Sequence, residues 1–117
     1  MTLRTEQIAR VVHEANRALQ VERADPTIGI GSAWDDLDDE TRQSAIIGVA
    51  GVLAGDTPEQ SHATWMKGKI DAGWTHGPVK SAAWRDHPSL VDYAAIPDDE
   101  KLKDHLFVAV VKALTSP

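Results

Sequence analysis

The chain has no cysteine among its 117 residues. That excludes disulfides and thiolate chemistry, and it suits a reducing compartment, so the expected location is cytoplasmic. Aromatic side chains are few, with four Trp, one Tyr and one Phe. Long apolar runs are missing as well. The longest, AIIGVAGVLAG at residues 45–55, is diluted by small residues and falls well short of the ~20 residues of a membrane span. The opening MTLRTEQIAR has no apolar signal region, so neither secretion nor membrane association is expected. Positive charge is also in short supply: 12 Lys and Arg stand against 18 Asp and Glu, for a net charge of −6. Nucleic-acid backbone binding needs clustered Lys and Arg, so it is not expected. A local pocket for a small anion remains compatible with that balance.

What is present fits one domain over residues 1–117, long enough to bury a core without staples. No internal repeat or low-complexity tract interrupts it. The spacing predicts a first helix over residues 5–21, with Ile8, Val11, Val12, Ala15, Ala18 and Leu19 on one apolar stripe. Residues 23–34 read as a loop broken by Pro26, Gly29 and Gly31. A second helix starts within the acidic run 35–40, where carboxylates favour the positive end of the helix dipole, and stops at Gly55. Gly48 and Gly51 inside it point to close approach of another backbone. The third helix opens with Thr57 as cap, Pro58 as first helical residue and Gln60 as reciprocal partner, and ends at Gly73. Residues 74–93 are turn-rich, and WTHGPV with SLVDY form a candidate strand pair. The fourth helix starts at Pro97, with Leu102, Leu106, Phe107, Val110, Val111 and Leu114 as its apolar face. The expected fold class is mainly α (α+β): about four helices, with a small antiparallel β element before the last.

Most catalytic motifs fail on inspection. HEANR at 13–17 begins like the helical zinc motif, but Arg17 stands where the second histidine belongs. The remaining histidines lack ligand spacing, so neither metal nor cofactor is expected. GIGSAW at 29–34 lacks the lysine of a phosphate loop, and no Gly-x-Ser-x-Gly elbow occurs. The acidic runs sit at helix starts, where carboxylates are ordinarily solvated caps. No catalytic residue is assigned.

One stretch breaks the acidic pattern. HATWMKGKIDAGWTHGPVK, residues 62–80, holds Trp65 and Trp74 among three lysines and two histidines. Two readings compete. The rings are core anchors, each burying on the order of 150–250 Å². Or they form a stacking surface, with Lys69, Asn16 and Arg17 supplying polar handles to an anionic planar ligand.

The same stretch, followed by HPSLVDY, IPDDEKLKD and FVAVVKAL, resembles the RyR domain, the repeat of ryanodine receptors that also occurs as a stand-alone domain in bacteria and bacteriophages. The matching positions are His62, Trp65, Lys69, Gly73, Trp74, Gly77, His87, Pro88, Leu90, Tyr93, Pro97, Ala113 and Leu114. HEANRAL, Trp34 and RQSAIIGV resemble the stand-alone members. His76 stands where the family has Tyr, SAAW replaces charged residues before His-Pro, and Asp92 replaces a proline. The resemblance implies a mostly helical fold without catalysis, and aromatic residues associated with adenine nucleotides and similar planar ligands.

The expectation is therefore a non-catalytic binding module for a nucleotide or nucleotide-derived signal, acting by sensing or sequestration. Its expected ligand-binding residues are Asn16, Arg17, His62, Trp65, Lys69, Trp74 and Tyr93. The alternative is a protein-interaction or structural module, such as a homodimer, without a small ligand.

Overall fold

The computed structural model describes residues 4–116. Four helices form the body: α1 (Thr5–Arg23), α2 (Asp39–Leu53), α3 (Pro58–Asp71) and α4 (Asp98–Thr115). Local chemistry sets their ends. The Asp38 side chain accepts from the Thr41 N–H at 2.8 Å at the start of α2. At α3, Thr57 Oγ1 accepts from the Gln60 N–H while Gln60 Oε1 accepts from the Thr57 N–H, the reciprocal pair its sequence predicts. Gly55 at φ 113° and Gly73 at φ 90° follow α2 and α3, in the backbone region that favours glycine. None of these helices is long and apolar enough to cross a membrane.

The apolar core lies between α1, α2 and α4. Ile8, Ala9 and Val12 meet Val49, Val52, Val108 and Val111, and Trp34 closes one end from a single 3-10 turn (Trp34–Asp36). On α1 the buried side is 8, 9 and 12, so Val11 and Ala18, expected on the apolar stripe, are exposed. On α4 the buried positions are Glu100, Asp104, Val108 and Val111, whereas Leu102 is exposed. The first half of α4 therefore turns carboxylates inward. Gly48 faces a side chain rather than another backbone: a Cβ there would lie 3.1 Å from Phe107 Cζ.

The β element corrects the expected topology. Strands β1 (Thr75–His76) and β2 (Asp86–His87) pair in parallel, not antiparallel. Thr75 N–H donates to Arg85 O at 2.8 Å and Gly77 N–H to His87 O at 3.4 Å. The intervening loop turns back on itself through an antiparallel bridge between Ser81 and Asp86, so the chain re-enters alongside β1 in the same direction. SLVDY is not the second strand. Pro88 has no N–H to extend the ladder, and the Ser89 N–H donates to His87 Nδ1 at 3.0 Å instead. A 3-10 turn (Tyr93–Ala95) then leads into α4.

Candidate functional site

A cleft of about 200 Å³ opens where the polar ends of α1 and α4 meet α2, α3 and the β-loop region. Pockets for drug-sized ligands run to ~300–1,000 Å³, so this cleft is smaller than that range. Helix α1 supplies His13, Asn16, Gln20 and Arg23, and α2 supplies Thr41, Ser44 and Gly48. Helix α3 supplies Ser61, Trp65 and Lys69, spaced by four residues along one face. The segment around the strands supplies Lys80 and His87, and α4 supplies Glu100, Lys103, Asp104 and Phe107. The Lys80 N–H donates to Thr27 O at 2.7 Å, which ties its loop to the one after α1.

Three lysines therefore converge on one cleft from three segments. None of them forms an ion pair with a carboxylate among the described residues. Two rest on rings: Lys103 Nζ lies 4.3 Å from the Trp65 ring centroid, and Lys69 Nζ lies 4.6 Å from that of Trp74. Burial pushes the ammonium of Lys69 below its usual range, and Lys80 adds to that. Lys80 is exposed at the rim of the cleft, and partial desolvation of its ammonium lowers it as well. Lys103 is lowered by burial, with Asp104 and Glu100 opposing. Glu40 and Asp38 oppose the shift at Lys69, as Asp104 and Glu100 do at Lys103, but none of these carboxylates pairs directly with the ammonium.

His87 forms the neutral part of the wall. Its ring meets Trp65 edge-on at 4.9 Å, and its Nδ1 is occupied as an acceptor. Burial holds its pKa at about 3, and Lys103, Lys80 and Lys69 reinforce the shift. Trp65 is also flanked by the His62 ring at 5.6 Å. His62 lies behind the cleft, 1% exposed, with Nε2–H donating to Val91 O at 2.8 Å. Its Nδ1 faces Asp104 Oδ2 at 3.8 Å, and neither atom has a hydrogen-bond partner. Burial raises the Asp104 carboxyl above the usual carboxylate range.

Of the residues singled out in the sequence, the structure brings Asn16, Trp65 and Lys69 together in this cleft. Arg17 is occupied elsewhere: its Nε donates to Gly31 O at 3.0 Å and its Nη1 to Glu14 Oε1 at 2.8 Å. Trp74 is buried outside the cleft lining beneath Lys69. Tyr93 shares a 3.1 Å hydrogen bond with His105 and carries Lys101 over its ring at 4.7 Å, also outside the lining. Sequence reasoning missed Lys80, His87, Lys103, Glu100 and Asp104. The signal for α4 was legible: positions 100, 103, 104 and 107 share one helical face, and only the last is apolar. No local pattern marks Lys80.

A protein-family model described as the RyR domain matches residues 34–115. The match includes α2, α3, the strands and α4, and so every lysine of the cleft. Helix α1, with Asn16 and Arg23, lies before it.

Proposed function

The chain belongs to the RyR domain family, and on that premise we propose that the cleft is a non-catalytic binding site for a small nucleotide-like anion. One observation carries the reading: Lys69, Lys80 and Lys103 line one cleft without a carboxylate ion pair, beside the indole of Trp65. Like charges in a partly desolvated cleft repel, and a phosphate would relieve them through charge-assisted hydrogen bonds. Lys103 links charge to stacking. Its contact with Trp65 is worth ~0.5–2 kcal/mol, whereas a hydrogen bond to a charged group contributes about 1.5–3 kcal/mol. An arriving phosphate draws the ammonium off the ring and leaves a face for the base. Asn16 and Ser44 line the same cleft and carry neutral hydrogen-bonding groups.

Binding rather than turnover fits the histidines. His87 is too acidic to act as a base near neutral pH, and His13 Nε2 is committed to Ser32 O at 2.7 Å. The setting that suits the site is a stand-alone bacterial or bacteriophage member of the family, acting in the cytoplasm to sense or sequester a nucleotide signal. A second reading, a protein-interaction module, draws support from Trp84, which is 81% exposed on the loop after Lys80. The test is calorimetric titration of the wild-type protein with AMP, ADP, ATP and cyclic nucleotides. Lys69→Ala and Lys103→Met should each weaken binding at least tenfold, or ~1.4 kcal/mol, with an unchanged far-UV spectrum. Failure of every nucleotide to bind, or parental affinity in both variants, overturns this reading. A concentration-dependent dimer lost in Trp84→Ser would then favour the second.

A further inference from the structure

Two buried acceptors face one another behind Trp65. His62 is buried, and its Nε2 lies 2.8 Å from Val91 O. A carbonyl oxygen only accepts, so Nε2 carries a proton and, in the neutral ring, Nδ1 is an acceptor. Nδ1 faces Asp104 Oδ2 at 3.8 Å, and neither atom has another partner. Two unmatched acceptors in a dry interior are costly unless a proton lies between them. An imidazolium with a carboxylate supplies that proton, and so does a neutral imidazole with a carboxylic acid. Burial of both residues disfavours two separate charges. It also raises the Asp104 carboxyl against the opposing pull of Lys103, His62 and His105. The atoms stand just outside hydrogen-bond reach, and rotation about the soft terminal torsion of the carboxyl closes the gap.

The pair stands where it governs the anion site. The His62 ring rests against Trp65 at 5.6 Å and Tyr93 at 6.0 Å, so its orientation helps to set the indole face. Asp104 lines the cleft next to Lys103 in sequence. An ionised Asp104 would repel an incoming anion and compete with it for Lys103, whereas a neutral one does neither. The groups around the pair are otherwise engaged. On α4, Glu100 accepts from Arg23, and His105 shares its Nε2 with the Tyr93 hydroxyl. Glu59 and Asp98 act on that same hydroxyl. His87 is neutral near pH 7, and Lys69 and Lys80 complete the charges of the cleft. Resting on the nucleotide reading above, we infer that Asp104 and His62 hold one proton between them as a neutral acid–imidazole pair, with Asp104 a positioning residue for Trp65, and that release of this proton shuts the cleft to anions. Anion binding and retention of the proton then favour each other by the same factor.

The test follows the Asp104 carboxyl by carbon NMR and the His62 ring by nitrogen NMR in the wild-type protein, beside calorimetric titration of the nucleotide panel over the same pH range. His62 should show the neutral ring protonated at Nε2. Asp104 should lose its proton at higher pH than the other aspartates, and nucleotide affinity should fall at least tenfold through that step. Asp104→Asn keeps an N–H for His62 Nδ1 and cannot ionise. It should match the wild type below the step and bind at least tenfold more tightly above it, a gain that a merely structural role would not produce. An imidazolium at His62 before the step, or an Asp104 that titrates with the other aspartates, overturns the pair. A parallel fall in affinity in both proteins overturns the switch. Where the variant does not fold, a wild-type affinity step displaced from the Asp104 titration does the same. Affinity unchanged across the step overturns the inference while leaving the nucleotide reading standing. Binding of no nucleotide at any pH overturns the nucleotide reading and the inference together.

Discussion

Acid should destabilise this protein through His87, and the size of the effect follows from its surroundings. The ring is 6% exposed. Its Nδ1 accepts from the Ser89 N–H, so a proton there would destroy that bond and oppose a second donor. The charged groups that depress it are all potential cations: Lys103, Lys80, Lys69 and His62. The folded pKa is about 3 against an ordinary value of 6.5. A lowered histidine value means that the unfolded chain takes up the proton first. Stability is therefore full above pH 6.5, falls as pH drops, and stops falling below about pH 3. At roughly pH 4.5 the gap is about two pH units, and at 1.36 kcal/mol per unit the loss is about 2.7 kcal/mol. Asp104 works in the opposite direction, because a raised carboxyl gains its proton first in the folded state. A difference between two proteins isolates the histidine. His87→Asn keeps an acceptor for the Ser89 N–H and removes the titration. Urea unfolding followed by far-UV circular dichroism at roughly pH 7 and 4.5 gives ΔG for each protein. The wild type should lose about 2.7 kcal/mol more than the variant between the two pH values. Equal losses, or a His87 pKa near the ordinary value by NMR titration, would refute the reasoning.

Two further outcomes test the strand pair and the lysines. Gly77→Ala would place a Cβ 2.6 Å from Asp86 Cβ and 2.9 Å from its Cγ. Asp86 is pinned by Thr75 Oγ1 and by its bridge to Ser81, so the change should cost ~1–3 kcal/mol in urea unfolding; a loss within ~0.5 kcal/mol would show that the strands yield freely. The lowered lysines bind an anion only when protonated, so nucleotide affinity should fall as pH rises through a range below their ordinary 10.5. Calorimetry at about pH 9 in buffers of different ionisation enthalpy should register proton uptake on binding, and zero uptake would show unshifted ammonium groups.

Helix boundaries were legible because they depend on residues next to one another. Thr57 with Gln60, Asp38 with Thr41, and the glycines at 55 and 73 act locally, and the structure follows them. Strand direction was not legible, because it depends on the path of residues 77–85 rather than on the composition of the strands. The same limit applies to the site. Trp65 and Trp74 are alike in sequence, yet one lines the cleft and the other is buried outside its lining. What separates them is α4, which places Lys103 over the first ring. Arg17 was a reasonable handle by type and position. Its guanidinium is instead spent on Gly31 O and Glu14, within α1 and the loop that follows. The inward carboxylates of α4 went unread because Leu102 was grouped with the apolar face: the helix turns Leu102 to solvent, while Phe107, Val110, Val111 and Leu114 of that face do meet the core.

The two helices that frame the cleft also build the core, and they divide the tasks along their length. On α1 the core residues Ile8, Ala9 and Val12 come first, the last two also lining the cleft, and the polar cleft residues Asn16, Gln20 and Arg23 follow. On α4 the order is reversed, with Glu100, Lys103 and Asp104 before Val108 and Val111. Packed together, the pair has one apolar end and one polar end. The apolar end buries the side chains that drive folding. The polar end collects like charges and unmatched acceptors that no folding argument requires. Natural sequences break local rules of this kind where a site demands it, and stability from elsewhere sustains the departure. Here that stability comes from the far ends of the same two helices. Helix α3 contributes differently, since its buried residues, Ser61 and His62, are polar and it brings Trp65 and Lys69 to the cleft. The arrangement lets the cleft residues change while the α1–α2–α4 core stays intact.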